Sequence, residues 1–347
     1  MTFSVDSLVG RARWLADTLL VPEAERVDQE GVPVSHIDAV RRSGLLGLNA
    51  PVEYGGSAAP VAVVRETAEI LAGACCSTWF VQTQHHTPVQ TLVAADGLPV
   101  RERLLGPMAR GEVLSGVAYA HLRSHPRTPV RVTRERGGWR FDGRVPWYTG
   151  WGLNDVLLLA GVTDADEALF AFTEAREQPG LTASPPMRLA ALTASRTVSL
   201  ELSGLWLPDE AVALRTPYER WAAADRPKTL ATSPAVFGVA AAALSLLDEE
   251  TAAPLRARLS RLRDEAYAAA DRSGPHDGAG ERPALRARAH DLLRTATTAA
   301  VVAAGGRGVL MTHRAQRLAR EALFLLVQGQ TPESRAAHLR ALAADAG

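Results

Sequence analysis

A chain of 347 residues, 47% hydrophobic and 22% charged, has the make-up of a folded protein of about two or three packed units and not of a disordered one. Its 38 basic residues (Lys+Arg) balance its 38 acidic ones, so no net field gathers nucleic acid or an anionic membrane surface, and neither is expected as a partner. No run reaches transmembrane length, the N-terminus lacks a basic stretch followed by an apolar block, and the adjacent Cys75 and Cys76 cannot readily bridge to each other; a reduced, cytoplasmic setting is expected.

In chain order, residues 1–112 read as a helical domain. Leu8, Ala12, Leu15, Leu19 and Leu20 recur at helical spacing, and Pro51 and Tyr54-Gly55-Gly56 force a turn. Helices are predicted over about 61–73 and 78–94. The second carries His85 and His86, which point about 100° apart and so cannot share a metal as an i, i+4 pair does. Packing is the ordinary use of such histidines; the functional alternative is that one lines a substrate pocket, and no metal site is expected. From Val113 the pattern turns to short β-rich runs, at 117–120, 130–133, 139–141, 156–159, 168–173 and 197–202, giving a middle β-domain over 113–213. Residues 214–347 return to helix, predicted over 235–250, 255–270, 283–304 and 312–327, with a polar break at 273–282. In the last helix Arg314, Arg317 and Arg320 form a stripe of their own, expected to meet solvent or a salt-bridged interface.

One stretch carries chemistry. Trp147-Tyr148-Thr149 offers an indole face beside a hydroxyl, suited to a flat conjugated cofactor, although a packed hairpin yields the same pattern. There is no G-x-S-x-G elbow, Walker A loop or H-E-x-x-H helix, and the Gly150-x-Gly152 segment lacks the third glycine of a dinucleotide fingerprint.

The order of parts resembles the acyl-CoA dehydrogenase superfamily. GLLGLNAPVEYGG at 44–56 is similar to that family's early turn, Trp147-Tyr148-Thr149 to its flavin-facing Trp-Ile-Thr, and Leu205-Trp206-Leu207-Pro208 to the end of its β-domain. Gly305-Gly306-Arg307-Gly308 followed by Arg317-Leu318-Ala319-Arg320-Glu321-Ala322 is similar to its Gly-Gly-x-Gly and Arg-Leu-x-Arg-Asp-Ala. The resemblance implies an α+β fold: an N-terminal α-domain, a middle β-barrel-like domain and a C-terminal four-helix bundle. It also implies FAD, with FMN or no flavin as alternatives, an acyl thioester substrate on coenzyme A or a carrier protein, and a homodimer or homotetramer. Carried over residue by residue, it assigns Tyr119, Ala120, His121, Leu122, Trp147, Thr149, Gly305 and Gly306 to the cofactor, while His85 or His86 stays the substrate-pocket candidate of the helix reading.

The chain departs from the family at the base. Counting from the arginine helix puts Gly329, between Gln328 and Gln330, where many members carry a catalytic Glu. A second family solution, a carboxylate before an arginine at the start of the bundle, is matched by Asp225-Arg226, making Asp225 the expected base and Arg226 its orienting partner; a helix N-terminal Asp is the structural alternative. The phosphate-cradling loop after the first strand is shortened to AYAHLRSHPRTP. Three activities follow as expectations: α,β-dehydrogenation of an acyl thioester, a reduced-flavin monooxygenation on the same fold, or a catalytically silent partner subunit.

Overall fold

The computed structural model describes residues 7–124, 126–127, 130–272 and 280–344. Its N-terminal part is helical: α1 (Leu8–Leu15), a π-helical turn (Ala16–Leu20), α2 (Val21–Glu30), α3 (Val34–Arg42), α4 (Val61–Ala74), α5 (Cys76–Thr83), α6 (His86–Ala94) and α7 (Pro99–Ala109). The single helix expected over 78–94 is broken at Gln84–His85 into α5 and α6.

The strands β1 (Ser115–Ala118), β2 (Val130–Glu135), β3 (Gly138–Tyr148), β4 (Val156–Thr163), β5 (Glu167–Glu174), β6 (Leu181–Ala183), β7 (Val198–Pro208) and β8 (Val212–Pro217) make one eight-stranded sheet. The order is β6-β7-β3-β2-β4-β5-β8, with β1 added parallel to β4. Among the described residues β6 and β8 end the path, and this sheet between two helical parts is the expected α+β arrangement with its middle β-domain. β4 and β5 are buried on both faces, which is why they read as unbroken apolar runs without alternation. One face supports the cluster of Phe141, Tyr148, Leu157 and Leu200; the other packs Leu158, Phe170 and Phe172 against Leu92 of α6 and Leu105 of α7. The short β6 and β8 escape the sequence pattern, and the boundary expected at 213/214 falls inside β8.

The C-terminal part comprises α8 (Tyr218–Leu230), α9 (Pro234–Leu244), α10 (Glu249–Asp271), α11 (Glu281–Ala304), α12 (Arg314–Val327) and α13 (Pro332–Ala344). The helix expected over 235–250 ends at Leu244, where Ser245 caps it and Asp248 opens α10 by accepting from the Thr251 amide at 2.9 Å. The two helical regions share one core, from Ala12 and Leu15 through Leu71 to Phe237, Leu292 and Leu318. At the crossing of α4 and α9 a Cβ on Gly238 would stand 2.0 Å from the Glu69 carbonyl oxygen, and one on Gly73 would stand 2.6 Å from that of Gly238. Only glycine permits so close an approach. No helix of the described residues is long and apolar enough to cross a membrane, and no cluster of His, Cys, Asp and Glu among them suits a metal.

Candidate functional site

The aromatic stretch is a shelf made by a bulge. Between Val145↔Leu200 and Tyr148↔Val198, β3 advances three residues while β7 advances two. The extra residue bends the strand end, and Pro146, without an N–H to offer the ladder, sits in the irregular step. Tyr148 is driven inward, fully buried, where its hydroxyl accepts from Asn154 Nδ2 at 2.9 Å. Trp147 turns outward and is 55% exposed. Asn154 also donates to the Thr149 carbonyl at 2.9 Å, and the turn between them needs Gly150, whose φ is +85° and where a Cβ would meet Asn154 Nδ2 at 2.6 Å. Buried Thr149 shares a hydrogen bond with the Thr197 hydroxyl at 3.1 Å.

Trp147 and Thr149 form part of the wall of a cavity of about 760 Å³. Ala120 adds exposed backbone, and Phe80, Leu323, Phe324 and Val327 from α5 and α12 supply an apolar side. An indole face, a hydroxyl and an apolar wall fit a flat conjugated ring such as a flavin's.

A second cavity, of about 690 Å³, adjoins the first: Thr83, Thr87, Tyr119, Arg123, Gln328 and Gly329 belong to the walls of both. Tyr119 is buried, its hydroxyl bonded to Thr87 and its ionisation pushed up by burial. Asp225 opens onto the second cavity and is the one carboxylate among the described lining residues of either. Its side chain is 12% exposed, and Arg123 donates to both its oxygens. Arg226, expected to orient Asp225, instead turns to Glu333, with Nη2 3.1 Å from Oε1. Gly329, at φ +59°, ends α12 in the left-handed conformation, and no heavy atom lies within 4 Å of a Cβ built there. The place of the expected glutamate is therefore at the site but bears no side chain.

Several expected residues lie elsewhere. His85 is fully buried, accepting from the Ser115 amide through Nδ1 at 3.0 Å and donating through Nε2 to the Met108 carbonyl at 3.2 Å. It stitches α5 and α6 to β1 and α7. Burial holds it neutral, with a pKa of about 3. His86 pairs with Gln82 at 2.7 Å, its pKa pushed by burial to about 4. Neither histidine is part of either cavity wall. His121 is also turned inward, Nε2 to the Ala160 carbonyl at 2.9 Å, and burial lowers its pKa to about 4. Leu122 is core, its carbonyl accepting from the Tyr218 hydroxyl. Gly305 and Gly306 form a turn at the start of the α12 hairpin, in open space. Neither is among the described lining residues of the two cavities.

The arginine stripe of α12 is a salt-bridged interface. Arg317 is 1% exposed and binds Glu25 of α2 at 3.0 Å and Glu321 at 2.7 Å; Arg320 holds Asp28 and the Ala190 carbonyl. A second row escaped the sequence reading. Arg282, Arg286 and His290, all buried, lie along one face of α11. Arg282 donates to the carbonyls of Ala269 and Arg272 at the end of α10, and Arg286 to those of Thr229 and Gln328 at the ends of α8 and α12, both at 2.6 Å. Cations thus meet the negative ends of three helices. The i, i+4, i+8 spacing of Arg282, Arg286 and His290 was the available signal.

Residues 5–112 match the family model described as acyl-CoA dehydrogenase, N-terminal domain. The probable acyl-CoA dehydrogenase FadE25 of Mycobacterium tuberculosis is 23% identical over 218 residues, 60% of this chain and 55% of the relative, so the chain spans about half the length of that protein. The butyryl-CoA dehydrogenase of Megasphaera elsdenii superposes with a TM-score of 0.80 at 17% identity, covering 99% of this chain and 100% of that one. The dibenzothiophene monooxygenase of Paenibacillus sp. A11-2 superposes with a TM-score of 0.77 at 19% identity, covering 96% and 95%.

Proposed function

We infer that this chain is a member of the acyl-CoA dehydrogenase superfamily and a flavin-dependent oxidoreductase that removes two hydrogens from adjacent carbons of an acyl thioester. The observation carrying this reading is the adjacency of the two cavities, one walled by the Trp147–Thr149 shelf and the other by Asp225, with Gln328 and Gly329 between them. FAD, when bound, supplies a ring that accepts a hydride from the β-carbon. Trp147 would back that ring and the Thr149 hydroxyl would reach its heteroatom edge. Asp225 is the group placed to accept the α-proton, and Arg123 fixes its orientation. Phe80, Phe324 and Val327 would give the reacting carbons an apolar wall. Val302, Val309, Leu310 and Met311, roughly half to three-quarters exposed, give the α11–α12 hairpin an apolar tip that favours a homo-oligomer, tested by light scattering in solution.

The deciding experiment is the visible spectrum of the purified protein, followed by anaerobic addition of a short acyl-CoA. A yellow protein that bleaches supports dehydrogenation; a colourless protein that takes up no added FAD sinks it. A second reading is favoured by one observation: both oxygens of the one cavity carboxylate are already held by Arg123. A reduced-flavin monooxygenase needs no such base, and oxygen uptake only in the presence of a flavin reductase would select it.

A further inference from the structure

The second cavity is the wrong kind of sleeve for a hydrocarbon chain. Its described lining includes four cationic side chains, Arg65, Arg123, Lys228 and Arg286, against the single carboxylate of Asp225. Two of the four are neutralised: Arg123 by Asp225, and Arg65 by a two-pronged pair with Asp271, which stands outside the lining. No carboxylate is recorded against Lys228 or Arg286 among the described residues.

Arg286 is the more telling of the two, because only 6% of it is exposed. Its recorded partners are two carbonyl oxygens, and its Nε is buried with none. A guanidinium has five N–H donors and no means of shedding its charge near neutral pH, so a buried one normally faces an anion. Burial, with Arg123 nearby, already disfavours the charged form, pushing its pKa down to about 10. The rest of the lining is also polar, with hydroxyls from Thr83, Thr87, Thr91, Thr229 and Ser233.

Resting on the acyl-thioester reading above, we propose that the acyl group taken into this cavity ends in a carboxylate, which the buried Arg286 receives, with the exposed Lys228 of the same lining adding attraction. The substrate is then a short dicarboxylic acid esterified at one end as a thioester. Such a ligand supplies the missing counter-charge, and Arg286 suits it because the planar fork meets a carboxylate with two parallel hydrogen bonds. A monocarboxylic acyl chain of the same length would bury a methyl group against an unpaired cation.

The test is calorimetric binding to the full chain, reconstituted with FAD, of two thioesters matched in length: glutaryl-CoA and pentanoyl-CoA. We expect glutaryl-CoA to bind at least about tenfold more tightly, the scale of one hydrogen-bonded charge, with the preference lost in Arg286→Gln and kept in Arg286→Lys. Because Arg286 also holds two helix ends, each variant is checked by its melting temperature, and the wild-type ratio decides the matter should Arg286→Gln not fold. Equal affinity of the wild type for both ligands overturns the proposal and leaves the acyl-thioester reading standing. Binding of neither ligand sinks that reading and the proposal with it. A preference that survives in folded Arg286→Gln overturns the assignment of the residue.

Discussion

Arg123 and Asp225, 102 residues apart in the chain, are joined by two hydrogen bonds, Nε to Oδ2 at 2.7 Å and Nη2 to Oδ1 at 3.0 Å. The pair ties the turn after β1 to α8 and sits where the two cavities meet. Asp225→Asn keeps one acceptor for Arg123 and removes the negative charge. Under the dehydrogenase reading it lowers the rate of anaerobic flavin bleaching by acyl-CoA by about 10²- to 10⁴-fold, the contribution of a positioned general base. Stopped-flow absorbance measures this directly. Full-rate bleaching would make Asp225 a structural partner of Arg123 alone.

Trp147→Ala tests the shelf. The indole is more than half exposed, so its removal changes the melting temperature little, within about 0.5 kcal/mol of stability. Flavin affinity, followed by quenching of flavin fluorescence, falls by about ten- to a hundredfold if the ring stacks there. An unchanged affinity would mean that the ring lies elsewhere.

The seam between α2 and α12 makes a separate forecast. Arg317→Met leaves Glu321, 2% exposed, without its partner in the core and costs about 3–5 kcal/mol. Arg317→Met combined with Glu321→Met removes both charges and recovers most of that loss. Denaturant unfolding of the single and double variants gives the coupling between them; additive losses would contradict it.

Acid sensitivity follows from the buried histidines. His85, His86 and His121 have folded pKa values of about 3, 4 and 4, below the ordinary value of 6.5, each chiefly through burial. Between those values and 6.5 the unfolded chain binds more protons than the folded one. Their neutral burial therefore carries no penalty above pH 6.5, and stability falls as pH drops from 6.5 toward 4, by up to about 3 kcal/mol per histidine. Melting temperatures from pH 7.5 to 4.5 should show the decline beginning near pH 6.5. His121→Gln should make it shallower, and a flat profile in the wild type would refute the assignment.

What the sequence disclosed was governed by local pattern. Val156–Leu159 and Ala168–Thr173 announced themselves as strands because both faces are buried, and Trp147-Tyr148-Thr149 stood out by composition. β6, at three residues, and α13 beyond Thr331 carry too little periodicity to register. The inward turn of His121 was not legible either, since nothing nearby in the chain reveals that its partner is the Ala160 carbonyl, 39 residues on. Asp225 was found through a family likeness, but Arg123, its actual partner, is close only in space. Arg226, its neighbour in sequence, bonds to Glu333 instead.

The arginine row of α11 has a kinetic meaning. Helix ends ordinarily fray one by one, each opening at little cost. Here the last carbonyls of α8, α10 and α12 are fastened to Arg282 and Arg286 on a single rod. Release of any one end unsettles the rod that holds the other two. In native-state hydrogen exchange, amides in the final turns of those three helices should open as one cooperative unit.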